Sequence, residues 1–308
     1  MAKIFSERAH RWCVKCSREN LFLPVMALLL MACSVMMAQS QSTTDSPRSP
    51  AQLLISISDK HGRPVSVAAS DLALSVGGQS IPIRELKPAQ DVPLRFLVLL
   101  DLSNSDRDKL DFERKAATQL FEALSNKPNA SGYLGWFSLQ AHISTHPVSV
   151  TDATEWLKHA TAAGPTALYD AIATACLGTL QRGSASEPVR RILFLMTDGE
   201  DNQSRISLAD AAKAAQSQGV PIFSLGILND APIRKGGIAL KNLAKETGGN
   251  AVLLDGPGRF LDKLLEPLES EYLLTFDAPP AAAHSVQLEL RTQNHNLELS
   301  AQKALVSP

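Results

Sequence analysis

Cysteine is scarce where a fold would use it. Of the four in 308 residues, Cys13, Cys16 and Cys33 lie near the start and only Cys176 follows, so no internal disulfide can staple the body of the chain. Aromatic residues make up only 5%, and 30 Lys and Arg against 31 Asp and Glu leave a formal charge of −1. Phosphate binding needs a concentrated surplus of Lys and Arg, so nucleic acid is excluded as the main partner. The chain also lacks a Walker loop, a GxSxG elbow and a paired-carboxylate site, which removes the common signatures of nucleotide hydrolysis and acyl transfer. What remains is 44% hydrophobic and 20% charged, an ordinary globular composition with length for one large domain or two smaller ones.

Charge is unevenly spread. Lys3, Arg8, Arg11, Lys15 and Arg18 outweigh Glu7 and Glu19 at the start, and the uncharged run Leu21 to Ala38 follows directly. A basic head before an apolar run reads as an export signal. Leu30-Met31-Ala32-Cys33 resembles a lipoprotein lipobox, and the run is near the length of a spanning helix interrupted by Pro24. Cleavage, lipidation at Cys33 and an uncleaved anchor all deliver the same mature domain outside the cytoplasm, periplasmic or secreted. Cys13-Val14-Lys15-Cys16 looks like half a zinc site, but no second pair of ligands follows. Residues 1–42 are therefore assigned to signal and linker, and Gln39 to Gln52, rich in Ser, Thr, Gln and Pro, reads as the tether.

From Leu53 the pattern alternates with period two in LLISIS, PVSVAA, LALSV and SIPIRE, so 51–92 is expected to be a β-rich lead-in. The rhythm then changes. LRFLVLLD, Leu94 to Asp101, is nearly continuous in apolar residues, as a strand buried on both faces of a parallel sheet must be. Helical periodicity follows over Asp106 to Ser125, and the alternation repeats through GYLGWFSL, RILFLMTD, PIFSLGIL and AVLLD, with a last helix over Phe260 to Leu268. This predicts an α/β fold over 93–270, a doubly wound, Rossmann-like, mostly parallel sheet. YLLTFD, SVQLELRT and NLELSA return to alternation, so 271–308 is a β-rich tail. Neither flank can bury a core alone, and the simplest arrangement packs tail against lead-in as one small module.

Ligands of doubly wound sheets gather beyond the carboxyl ends of the strands. The first buried run ends in Asp101-Leu102-Ser103-Asn104-Ser105, and a later one in Thr197-Asp198-Gly199. Between them Gly164-Pro165-Thr166 places a hydroxyl at the mouth of a helix. Asp101, Ser103, Ser105, Thr166 and Asp198 could thus meet at one sheet edge, an all-oxygen set suited to Mg²⁺, with Mn²⁺ or Ca²⁺ as alternatives. Two carboxylates and three hydroxyls leave such an ion short of negative charge and open to one more oxygen. Asp101 to Ser105 alone could equally cap the following helix. Asp170 is expected to hold the Thr166 loop; Glu200, Asp201 and Asn202 to form an acidic turn that shapes partner choice; Trp136 and Phe137 to fill the core. His142, His146 and His159 have no ligand spacing.

DLSNS, GPTALYDAI and LMTDGEDN together resemble the three segments of the metal-ion-dependent adhesion site of von Willebrand factor type A domains. The lead-in DKHGRPVSVAASDLALSVGGQSIPIRELK and the ending EYLLTFDAPP resemble the VWFA-related family abundant in acidobacterial proteins, in which an exported A domain sits between a β lead-in and a β tail. The resemblance implies direct metal binding by Ser103 and Ser105, Thr166 direct or through water, and Asp101 and Asp198 largely through water. It implies a non-enzymatic module that captures an Asp or Glu carboxylate of a protein partner, with a structural metal as the alternative. A Mg²⁺-dependent phosphatase of the haloacid-dehalogenase kind is disfavoured, because Ser103 stands where that chemistry needs an acid/base Asp.

Overall fold

A computed structural model describes residues 50–60, 63–76, 78–104, 107–181, 189–227, 235–254, 259–277, 288–292, 294 and 297–301. The signal-like run, Cys13, Cys16 and Cys33 lie outside the described residues, as does the Asp106 start expected for the first helix. Among the described residues, no helix is long and apolar enough to cross a membrane.

The central element is a six-stranded sheet. Its strands are β5 (Leu94–Asp101), β6 (Ala130–Phe137), β7 (Ala141–Ile143), β8 (Arg190–Met196), β9 (Ile222–Ile227) and β10 (Ala251–Leu254), in the order β10-β9-β8-β5-β6-β7. All neighbours run parallel except the β6–β7 hairpin at one edge. In β5 the five residues Phe96 to Leu100 are each 0% exposed, which a strand can achieve only when both faces are covered. Alternation sends Phe96, Val98 and Leu100 into one core and Leu97 and Leu99 into another. The first core is closed by α1 (Leu110–Ser125), α2 (Val150–His159) and α6 (Leu261–Glu269). The second is closed by α3 (Leu168–Leu177), α4 (Leu208–Gln218) and α5 (Lys235–Thr247). The result is the three-layer α/β architecture that the apolar runs imply.

Gly132 in β6 lets two rings meet: a Cβ there would sit 2.5 Å from the Phe96 ring and 2.7 Å from that of Phe121, which pack edge to face at 5.2 Å. Phe137 is fully buried, whereas Trp136 is half-buried and packs against the margin of the first core. It lies in register with His142 of the edge strand, and it stacks on Trp156 of α2 at 4.3 Å and on His142 at 5.3 Å, lining an open cleft of about 670 Å³.

Both flanks contribute to one antiparallel sheet. β1 (Pro50–Asp59) lies between β11 (Glu271–Asp277) and β13 (Leu297–Ala301), and β4 (Ile83–Pro88) pairs with the far side of β11. A second sheet joins β2 (Leu72–Val76) to β3 (Gln79–Ile81) and β12 (Leu288–Thr292). Leu53, Ile55, Ile57, Leu72, Leu74, Leu274 and Phe276 form their shared core. Three expectations are corrected. Pro50 to Gln52 belong to β1 rather than to the tether, since Pro is tolerated as the first residue of a strand. PVSVAA is not a strand; apart from the bridge Ser58–Pro64 it is irregular, and the Val65 carbonyl accepts from the Tyr272 hydroxyl at 2.6 Å instead of from a ladder partner. SIPIRE is split at Pro82, so β3 serves one sheet and β4 the other.

The two parts meet through a buried ion pair, Arg190 of β8 with Glu271 of β11, 3% and 4% exposed. Burial pushes the Glu271 carboxyl up to about 6 against the opposing pull of Arg190. The Ile57 N–H donates to the Ser270 carbonyl at 2.9 Å nearby.

Candidate metal centre

β5 delivers Asp101 to the carboxyl edge of the sheet, 0% exposed, and the chain turns at once because the Ser103 N–H donates to Asp101 Oδ1 at 2.9 Å. The second carboxylate oxygen accepts from the Thr197 hydroxyl at the end of β8, 2.7 Å away. That hydroxyl accepts in turn from the Gly199 N–H at 3.1 Å. Thr197 therefore orients one oxygen of the Asp101 carboxylate and also shapes the turn carrying Asp198. The sequence motif Thr197-Asp198-Gly199 contains this threonine but gave it no role.

The Thr166 loop is tied to both neighbours. It meets the first loop through Ala163 N–H to the Leu102 carbonyl at 2.7 Å and Asn104 N–H to the Gly164 carbonyl at 3.0 Å. It meets the third through Asn202, whose Oδ1 accepts from the Thr166 N–H at 3.0 Å, while the Thr166 carbonyl accepts from the N–H groups of Asn202 and Gln203 at 3.0 and 2.9 Å. Each pair of loops is thus joined directly, and the hydrogen bonds close a circuit around the site. Asp101, Ser103, Thr166 and Asp198 are 0%, 0%, 1% and 7% exposed within it. Ser105 lies outside the described residues.

The supporting acidic residues have different work from that expected. Asp201 accepts from the Ser204 hydroxyl at 2.5 Å, and that hydroxyl accepts from the N–H groups of Tyr169 and Asp170 at 3.0 and 3.1 Å. Ala167, the cap residue of α3, has no side-chain acceptor, so its first N–H groups are satisfied from across the site. Asp201 and burial together hold the Tyr169 hydroxyl above its usual range, burial being the larger cause. Asp170 holds the stretch leading into α4, accepting from Arg205 N–H at 3.1 Å and Ile206 N–H at 3.3 Å, rather than the Thr166 loop itself. Asn202 braces Thr166.

Asp198 has a neighbour that the sequence did not advertise. Its Oδ1 accepts from the Glu200 N–H at 3.0 Å, and its Oδ2 lies 3.1 Å from the Lys109 ammonium, with the two side chains 9% and 8% exposed. Gly199, at φ +79°, packs directly on Gly236 at the start of α5. A methyl group on Gly236 would run into the Asp198 carbonyl, so this close approach needs glycine on both sides.

The donor set can be tested for the ion it suits. Among the described residues, no three His, Cys, Asp or Glu side chains group as a metal site. A cation at this sheet edge would meet hydroxyls beside the carboxylates of Asp101 and Asp198, and hydroxyl and carboxylate oxygens suit hard cations. That Asp198 already attracts an ammonium into a nearly dry position agrees with a place built for positive charge.

Fold and edge geometry together define a class, and the chain belongs to the von Willebrand factor type A domain family, whose profile matches residues 97–252. Solved structures similar to it include an aerotolerance-related membrane protein from Bacteroides fragilis, 20% identical over 57% of this chain and 98% of that one with a TM-score of 0.47. A von Willebrand factor type A protein from Catenulispora acidiphila is 14% identical over 83% and 72%, with a TM-score of 0.48. Proximal thread matrix protein 1 from the mussel byssus, solved with a zinc-occupied metal site, is 15% identical over 63% and 49%, with a TM-score of 0.46. No curated protein matches the chain.

Proposed function

We propose that Asp101, Ser103, Ser105, Thr166 and Asp198 hold one divalent cation, foremost Mg²⁺, and that the protein is a metal-dependent binding module for a protein partner presenting an Asp or Glu carboxylate. The closed hydrogen-bond circuit joining the three loops carries this reading. Because the chain's own groups hold the loops together, an ion is not needed to assemble them, which favours ligand capture over a purely structural metal. When bound, the ion supplies a directional electrostatic anchor that an exposed ion pair does not match. Asp101 is oriented by Thr197 and by the Ser103 amide, Thr166 by Asn202, and Asp198 by the Glu200 amide. With two carboxylates only, the set leaves room for a ligand oxygen. Ser103, in place of an acid/base carboxylate, supports binding rather than hydrolysis. The basic head and apolar run support an exported protein, periplasmic or secreted, by cleavage, by lipidation at Cys33 or with the anchor retained.

Calorimetric titration of the purified chain with Mn²⁺ and Mg²⁺ tests the reading. One site is expected, lost in Thr166→Val with the melting temperature unchanged, since the Thr166 contacts to Asn202 and Gln203 run through its backbone. Absence of a binding heat for either ion in folded wild-type protein would sink it.

A further inference from the structure

Lys109 opens α1, eight residues beyond Asp101, and its ammonium reaches back 3.1 Å from Asp198 Oδ2 in a position where both side chains are more than nine-tenths buried. A charge so placed is screened little by solvent or salt. Its role follows from the charges around it. Asp101 and Asp198 bring two negative charges, and Lys109 cancels one of them.

From this we infer that Lys109 sets the charge of the site, weakening its hold on the cation and strengthening its hold on the anionic ligand. The inference rests on the proposed metal reading. Before an ion arrives, Lys109 satisfies Asp198 and competes for it. After a divalent ion arrives, the ammonium keeps the site one unit more positive than a neutral residue at 109 would. A positive, nearly dry site favours a singly charged anion such as an Asp or Glu side chain over a neutral oxygen donor. Arg107 does not share the role, since it is exposed and donates to Asn104 Oδ1 at 2.8 Å. The partner class is therefore an ionised carboxylate, and neutral hydroxyl or amide ligands are selected against.

The signature is a pair of opposite changes, which a residue that only supports the fold would not produce. Mn²⁺ affinity is read by calorimetry on the full chain. Acetate affinity of the Mn²⁺-saturated protein is read from the paramagnetic relaxation of the acetate methyl protons. Lys109→Met is expected to bind Mn²⁺ about tenfold more tightly and, once loaded, to bind acetate about tenfold more weakly, as removal of a nearby partly screened charge implies. Lys109→Arg keeps the charge and should track wild type in both. Should Lys109→Met not fold, Lys109→Gln, whose amide can still donate to Asp198, carries the same test. If wild type binds Mn²⁺ and the neutral variants bind it no more tightly, or if both affinities fall together, the assignment of Lys109 is wrong while the metal reading stands. If neither wild type nor variants bind Mn²⁺, both fall.

Discussion

Replacing Thr197 with valine keeps the shape of the side chain and deletes one hydroxyl, which makes it a sharp probe of how the site is held. That hydroxyl donates to Asp101 Oδ2 at 2.7 Å and accepts from the Gly199 N–H at 3.1 Å, and Thr197 and Asp101 are both 0% exposed. A hydrogen bond to a charged partner contributes about 1.5–3 kcal/mol, and a stranded buried group costs about 1–3 kcal/mol. Allowing for relaxation of the turn, the loss should be about 3 kcal/mol, a lowering of the melting temperature by about 6–12 °C for a domain of this size. Thr197→Ser retains the hydroxyl and should lose less than about 1 kcal/mol. Urea and thermal unfolding of the three proteins, followed by circular dichroism, supply the comparison. A valine variant that melts within 2 °C of wild type would refute the claim that this hydroxyl joins β5 to β8.

Other perturbations reach other parts of the molecule. Gly236→Ala forces α5 away from the Asp198 turn and should cost about 2 kcal/mol or more in urea unfolding, with weakened Mn²⁺ binding, whereas Gly78→Ala, strained but in open space, should spare the metal. Asn202→Ala removes the acceptor of the Thr166 amide and should lower Mn²⁺ affinity in calorimetry more than it lowers the melting temperature. The Glu271 carboxyl, raised to about 6 from 4.5, takes up a proton in the folded state before it does so in the unfolded chain. Stability therefore rises as pH falls from about 6 towards 4.5, by at most about 2 kcal/mol, and is lost again as pH climbs back through that window. Urea titrations at pH 7 and pH 5 should show this gain in wild type and not in Glu271→Gln.

The parallel sheet was legible because a strand covered on both faces cannot hide its composition: LRFLVLLD and RILFLM are apolar at nearly every position. Two of the site loops were legible for a related reason, since ligand edges fall where such runs stop, and Asp101 and Asp198 stand at those stops; Thr166 was legible instead from the Gly-Pro turn that precedes a helix. β7 escaped because three residues carry too little alternation to register, and PVSVAA misled because its valines alternate while its backbone bonds go to a tyrosine hydroxyl. The Pro82 break is visible in the sequence, but nothing local says that the halves serve different sheets. Lys109, Thr197 and Asn202 act through partners 89, 96 and 36 residues away, and spacing along a chain contains no trace of such pairs.

β1 pairs with β11 over Pro50 to Ser56, so that Ile55 waits for Tyr272. At the ordinary pace of synthesis, about 5–20 residues per second, the first strand leaves the ribosome some 10–40 s before its neighbour exists. Throughout that interval Leu53, Ile55 and Ile57 form an apolar stripe on an unpaired strand, the kind of template that recruits other nascent chains. The inserted A domain can bury its own cores meanwhile, but the module around it must be completed last. Production of this protein should thus be limited by protection of its opening strand, and a holding chaperone should raise the folded yield more than any stabilisation of the loops at the sheet edge.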